Sequence, residues 1–139
     1  MKINDLKKAK ILFFQNKYDE SFELFNIIAL DKSIDKIERS NSFNMLGVII
    51  IGPCPYLDPE DETGLKYFKK ALELDPENLG ALFNVTATFG TSPNMHRNSK
   101  LFMFAYNKLL MKKAILTEQD KKSLNEKFEL MKKLETKSI

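Results

Sequence analysis

Three short motifs that favour helix starts recur at equal intervals in this chain. Each places Asp or Ser before proline, at Asp58-Pro59, Asp75-Pro76 and Ser92-Pro93, so both intervals are 17 residues long. The Asp or Ser side chain can cap the first turn, and proline at the first helical position loses no hydrogen bond. Because a helix and a short turn fill such an interval, two intervals make a helix pair with a 34-residue period. The spacing therefore predicts an array of helical repeats.

Apolar residues between the motifs follow helical spacing. Leu65, Phe68 and Leu72 recur every three or four residues, and the segments 101–111 and 124–134 do the same. The last helix is predicted to start at Thr117, where an acidic residue three positions later forms a pattern like a capping box. We therefore expect an all-α chain.

The segment Phe43–Ile51 has the composition of a strand, since it ends in the run Val48–Ile51. No other segment offers a strand that could pair with it, and an isolated strand would leave its backbone groups without partners. We therefore predict a helix here as well.

Composition narrows the class of protein. The chain has 139 residues with 43% hydrophobic residues, which is enough for the core of one domain. Its single cysteine excludes an internal disulfide, and no apolar run is long enough for a signal peptide or a membrane span. We expect a single domain over residues 1–139 that works in the cytoplasm, without a membrane.

Two adjoining segments resemble the tetratricopeptide repeat. Glu62–Asn78, with the sequence ETGLKYFKKALELDPEN, is similar to the second helix and the connecting turn of such a repeat. Leu79–Phe89, with the sequence LGALFNVTATF, is similar to the first helix of the next repeat. Upstream, FNMLG at Phe43–Gly47 resembles the first helix of a middle repeat, in which Leu46 and Gly47 are the adjoining large and small packing residues.

A first, more divergent repeat is similar to the family at Gln15–Phe25, where Asn16 replaces the usual Gly and Ser21 the usual Ala. The resemblance implies antiparallel helix-turn-helix repeats in a right-handed superhelix, with about three helix pairs over residues 4–115 and a capping helix over 117–136. Gly52–Leu57 is predicted to be an enlarged turn of the kind that Sel1-like repeats carry.

The resemblance also implies where a partner binds, because the first helices of such repeats line a concave groove. The apolar members of this set could instead pack between helices. Relatives that hold a peptide's carboxylate use Lys, Asn and Arg, but Leu6, Lys10 and Met45 stand at three of those places, so this clamp is not expected. The predicted groove residues are Lys10, Phe13, Asn41, Asn44, Val48, Phe83 and Ala87, and the loop candidates are Pro53, Pro55 and Tyr56.

No catalytic or metal site is expected. The only histidine, His96, has no nucleophile motif beside it, and Cys54 lies between two prolines in a turn. A calcium-binding loop starting at Asp58 would require Gly at Thr63 and Glu at Lys69, and it has neither. We therefore expect neither enzymatic activity nor a cofactor.

The chain carries a net charge of +3, and its positive charge is concentrated in the part from residue 100 onward, where lysine predominates. Lysine without arginine forks or stacking aromatics argues against specific nucleic-acid binding. The sequence favours a bacterial adaptor or chaperone that binds a protein or peptide client in the groove. The alternatives are an immunity protein that neutralises a toxin and, less favoured, an RNA-binding repeat protein. The sequence does not indicate the oligomeric state or the partner.

Overall fold

The computed structural model describes residues 2–60, 64–90 and 98–137, with side chains described for residues 5–60, 64–90 and 98–135. Within these ranges the chain forms seven α-helices and no strand, which confirms the all-α prediction. None of these helices has both the length and the apolar character needed to cross a bilayer. The helices are α1 (Lys2–Phe14), α2 (Tyr18–Leu30), α3 (Lys36–Ile51), α4 (Leu65–Leu74), α5 (Leu79–Thr88), α6 (Ser99–Leu110) and α7 (Glu118–Lys137).

The chain forms two compact units, Met1–Ala81 and Leu82–Ile139, with the boundary inside α5. In the first unit each helix packs against the next, from α1 to α4. The pairs are antiparallel: the start of α3 contacts the end of α2 through Arg39 Nε and Ala29 O, and the end of α4 through Ser40 Oγ and Ala71 O. α1 and α2 run antiparallel in the same way. Ser21 Oγ donates a hydrogen bond of 2.8 Å to Ala9 O, and the Tyr18 ring contacts the Phe13 ring.

The connection between α1 and α2 explains two unusual residues of the first predicted repeat. Asn16 has a φ of 63°, a left-handed conformation that Asn adopts more readily than most residues other than Gly. Its side chain accepts a hydrogen bond of 2.7 Å from Tyr18 Oη. Ser21, at the position where Ala is usual, is buried. Its hydroxyl is accommodated there because it donates a hydrogen bond to the Ala9 carbonyl.

α3 can pack closely against α4 because Gly47 of α3 has no side chain. A Cβ atom at Gly47 would lie 2.5 Å from Cε1 of Phe68, whose ring is fully buried. The predicted helix over residues 43–51 is confirmed as part of α3. Its β-branched residues are accommodated in a helix because α3 packs against both α2 and α4. The largest fully buried side chains of this unit are Phe25, Ile28, Leu46, Ile49, Ile50 and Phe68.

The prediction that Asp58-Pro59 starts a helix is wrong. The Asp58 carboxylate accepts hydrogen bonds of 2.6 Å from Lys66 Nζ and from Tyr67 Oη, and these bonds lower the pKa of this carboxyl. α4 starts instead at Leu65, after Gly64 in a left-handed conformation. α4 therefore starts later in the chain than this motif predicts.

The prediction that Asp75-Pro76 starts a helix is wrong too. The Asp75 N–H donates to Ala71 O at the end of α4, and the Asp75 carboxylate accepts from the backbone N of Glu77. α5 starts at Leu79 and is capped by Asn78, whose Oδ1 accepts from the backbone N of Ala81. The third motif, Ser92-Pro93, lies outside the described residues.

In the second unit α6 packs against α7, and the predicted start of the last helix is confirmed. Thr117 Oγ1 accepts from the backbone N of Asp120, and Asp120 Oδ2 accepts from the backbone N of Thr117. Phe104 and Met111 are exposed, so the apolar face of α6 is narrower than predicted. The core cluster consists of Phe89, Phe102 and Met131, with Met103, Tyr106, Phe128 and Leu134 packed around it.

Candidate functional site

The first unit contains an open cleft of about 690 Å³. This volume lies within the range of about 300–1,000 Å³ that is usual for ligand-binding sites. The cleft lies between α1 and the start of α3, with one residue of α2 at its floor. It is lined by Leu6, Lys7, Lys10, Ile28, Ser33, Ile34, Asp35 and Glu38.

Local hydrogen bonds fix the α2–α3 connection that forms one side of the cleft. Asp31 Oδ1 accepts from both the backbone N and the Oγ of Ser33, at 3.0 and 2.6 Å. Asp35 caps α3 by accepting from the backbone N of Ile37 at 3.2 Å. Because these side-chain bonds hold the turn, Ile34 between them is set in place beside the floor residue Ile28, which is 2% exposed.

The two sides of the cleft carry opposite charge. α1 contributes Lys7 and Lys10, both exposed, whereas the α3 side contributes Asp35 and the half-buried Glu38. Within the described part of the chain, Lys7, Lys10 and Glu38 form no ion pair or side-chain hydrogen bond. Their charges are therefore available to a bound molecule, above a floor made of aliphatic side chains.

Among the predicted groove residues in α1, Lys10 lines this cleft and Phe13 does not. The Phe13 ring is half-buried and makes edge contacts with the rings of Phe14 and Tyr18, each at 5.5 Å between centroids. Phe13 therefore packs at the α1–α2 turn.

The groove residues predicted in α3 lie along its least buried face, together with the exposed Ile37. Asn41 Oδ1 accepts a hydrogen bond of 3.2 Å from Asn78 Nδ2, and the Asn44 amide lies against the backbone of Gly80. Val48 is half-buried. The Asn41 amide thus joins α3 to the residue that caps α5, and the Asn44 amide lies beside the start of α5.

Asn78 is the central residue of this polar contact, and replacing its side chain tests how much the contact contributes to the stability of the fold. Its side chain donates to Ser40 Oγ and Asn41 Oδ1 and accepts from the backbone N of Ala81. We expect Asn78→Ala to lower the free energy of unfolding by about 1–2 kcal/mol, because a helix cap, one buried hydrogen bond and one partly buried hydrogen bond are lost together. Urea unfolding followed by circular dichroism measures this change, and a loss below about 0.5 kcal/mol would contradict it.

In the second unit, Phe83 and Ala87 from the predicted groove line a smaller cleft of about 330 Å³ between α5 and α7. Lys127 also lines it, and its Nζ donates to the Phe89 carbonyl at 3.0 Å. Burial lowers the pKa of this lysine, against a smaller raising effect from Glu126. Lys127 therefore caps the carbonyl end of α5.

The predicted loop candidates Pro53, Pro55 and Tyr56 are all exposed. The loop is nevertheless attached to the start of α2, since Tyr56 Oη donates to Asp19 Oδ1 at 2.8 Å. Hydrogen bonds with the Cys54 side chain and with Asp19 raise the pKa of the Tyr56 hydroxyl above its usual value. The Cys54 thiol is buried, and a turn of 3-10 type follows at Pro55–Leu57.

Sequence reasoning missed most of the cleft. Lys7 precedes Lys10 by three residues, and Glu38 precedes Asn41 by three, so each lies one helical turn before a predicted position. Extending the predicted groove by one turn toward the start of each helix would have included both. Ile34 and Asp35 lie in a turn, where helical periodicity gives no signal.

The described residues contain no group of three or more His, Cys, Asp and Glu side chains that could hold a metal ion. His96 lies outside the described residues. Comparisons with protein-family models, with curated proteins and with solved structures found no match for this chain.

Proposed function

We propose that this chain is a non-catalytic protein-interaction module of tetratricopeptide-like architecture that binds a peptide segment of a client protein. The observation that carries the proposal is the open cleft of the first unit, with an aliphatic floor between charged sides. Lys10, one of the groove residues expected from the family resemblance, lines this cleft.

The chemistry of the lining favours a peptide over a reacting substrate. Leu6, Ile28 and Ile34 can hold an apolar side chain, while the lysines and acids at the rim can contact polar groups around it. No histidine or cysteine is among the residues that line the cleft, so the lining is more typical of a binding surface than of a site for nucleophilic catalysis. A bound segment would be held by complementarity alone, as in an adaptor or chaperone.

The test uses a cationic substitution in the floor and a matched one outside it. Peptides selected from a random display library on the wild-type chain are measured by fluorescence anisotropy with two variants. Ile34→Arg places a charge in the cleft, and Ile27→Arg places the same charge on α2, where the side chain is already 57% exposed. We expect Ile34→Arg to weaken binding by about tenfold or more, because a desolvated apolar anchor contributes over 1 kcal/mol.

Ile27→Arg should leave the affinity unchanged, and circular dichroism should show both variants folded. Failure to select any peptide, or equal affinity of Ile34→Arg and the wild type, would overturn the proposal. A toxin inhibitor would bind a folded protein, so no short peptide would be selected. An RNA-binding protein would bind RNA with an affinity that falls steeply as the salt concentration rises.

A further inference from the structure

We infer that the cleft selects peptides in which an apolar residue stands between one acidic and one basic flank. This inference rests on the proposed function, since it specifies the ligand of the same cleft. It follows from the distribution of charge around the aliphatic floor rather than from the total charge of the chain.

The basic side of the cleft has cations that nothing else in the described residues neutralises. Lys7 and Lys10 stand three residues apart on α1, so both project from one face of that helix. Neither forms an ion pair with a described side chain. A ligand carboxylate above α1 would meet two ammonium groups, whereas a ligand cation there would be repelled.

The acidic side differs in how its two carboxylates are used. Asp35 already accepts the Ile37 backbone N–H and caps α3. Glu38 is half-buried and forms no ion pair or side-chain hydrogen bond within the described ranges. A partly buried carboxylate beside an apolar floor gains most from a cationic partner, because water screens the interaction less there.

The two sides do not neutralise each other across the cleft. The lysines lie on α1 and the acids on α3 and the turn before it, and no nitrogen–oxygen pair between them comes within ion-pairing distance. A bound peptide that carries both charges would neutralise both sides of the cleft, while its apolar residue covers Ile28 and Ile34. Peptides with two like-charged flanks satisfy one side and oppose the other.

The experiment compares short synthetic peptides that share a central leucine and differ only in their flanks, which are both acidic, both basic or mixed. Affinities are measured by fluorescence anisotropy at low salt. The wild-type chain should bind the mixed peptide about threefold or more tightly than either like-charged peptide, the range expected for partly exposed charge pairs. The comparison does not depend on the direction in which the peptide lies.

Charge reversal on each side should then change the selection. The double variant Lys7→Glu with Lys10→Glu should prefer the basic peptide, and Glu38→Lys should prefer the acidic one. Combining the three substitutions makes the α1 side acidic and leaves the α3 side, which keeps Asp35, without net charge, so the acidic peptide should bind most weakly and the preference for the mixed over the basic peptide should be lost. Asp35 stays unchanged in every variant because it caps α3.

The outcomes separate this inference from the proposed function. If all three peptides bind equally to every charge variant and Ile34→Arg still weakens binding by about tenfold or more, the charge selection is refuted and the peptide-binding function stands. If no peptide binds the wild type at any flank composition, both are refuted. A preference that follows the substitutions as described supports both.

Discussion

Phe102→Ala is expected to destabilise the second unit by about 3–5 kcal/mol, the usual loss when a buried phenylalanine is truncated. The Phe102 ring is fully buried, 4.7 Å from the Phe89 ring and 5.7 Å from the Tyr106 ring between centroids. Tyr106 continues the stack to Phe128 at 4.8 Å. Removal of the ring therefore leaves a cavity within a set of aromatic contacts that join α6 to α7.

Phe104→Ala on the same helix is the matched control, since that ring is 38% exposed. It should cost much less than Phe102→Ala, because over a third of the Phe104 side chain is already in water in the folded state and its removal leaves no enclosed cavity. Hydrogen exchange read by mass spectrometry resolves the effect by helix, so faster exchange should be found in α6 and α7 for Phe102→Ala. Similar exchange in the two variants would show that the stack does not hold this unit together.

Gly47→Ala should destabilise the first unit by up to about 2 kcal/mol, even though alanine is the better helix former. The exchange gains about 1 kcal/mol in helix propensity. The new Cβ, however, would lie 2.5, 2.8 and 2.9 Å from three atoms of the Phe68 ring, which is fully buried and cannot turn into solvent. Overpacking of this kind costs about 1–3 kcal/mol and sometimes more, so the steric effect outweighs the propensity.

Gly52→Ala provides the comparison, because the nearest atom to its added Cβ is Val48 O at 3.1 Å and no ring lies against it. Urea unfolding should show a much smaller change for this variant. A second substitution, Phe68→Leu, gives room at the α3–α4 interface, so in the Gly47→Ala background it should cost less than it does alone. A stabilised Gly47→Ala chain would contradict the packing described for α3 and α4.

The sequence predicted helices well where apolar spacing and local capping agree, and poorly where a cap motif stood alone. Thr117 and Asp120 form the expected reciprocal bonds because both side chains remain free for the backbone. The Asp58 side chain is instead bound by Lys66 and Tyr67, which are far enough along the chain that no local pattern includes them. An Asp-Pro pair therefore predicts a turn more reliably than it predicts the first residue of a helix.

The candidate site was predictable in part for a related reason. Lys10, which lines the cleft, stood among the predicted groove residues because the family resemblance places it on the groove-lining face of its helix. Asn41, on an equivalent face of α3, is bound to Asn78, and this contact joins residues 37 positions apart in the chain. Helix periodicity gives the face on which a side chain lies, but a distant contact decides whether that side chain is available to a ligand.

The exposure of the loop after α3 can be measured through the protein's own cysteine. Cys54 is the only cysteine in the sequence, and its thiol is buried in a loop that Tyr56 attaches to Asp19. A thiol reagent in excess would consequently react at one position, and only when an opening of the structure exposes that thiol. The opening equilibrium of this segment can thus be followed on the unmodified chain, without an introduced label.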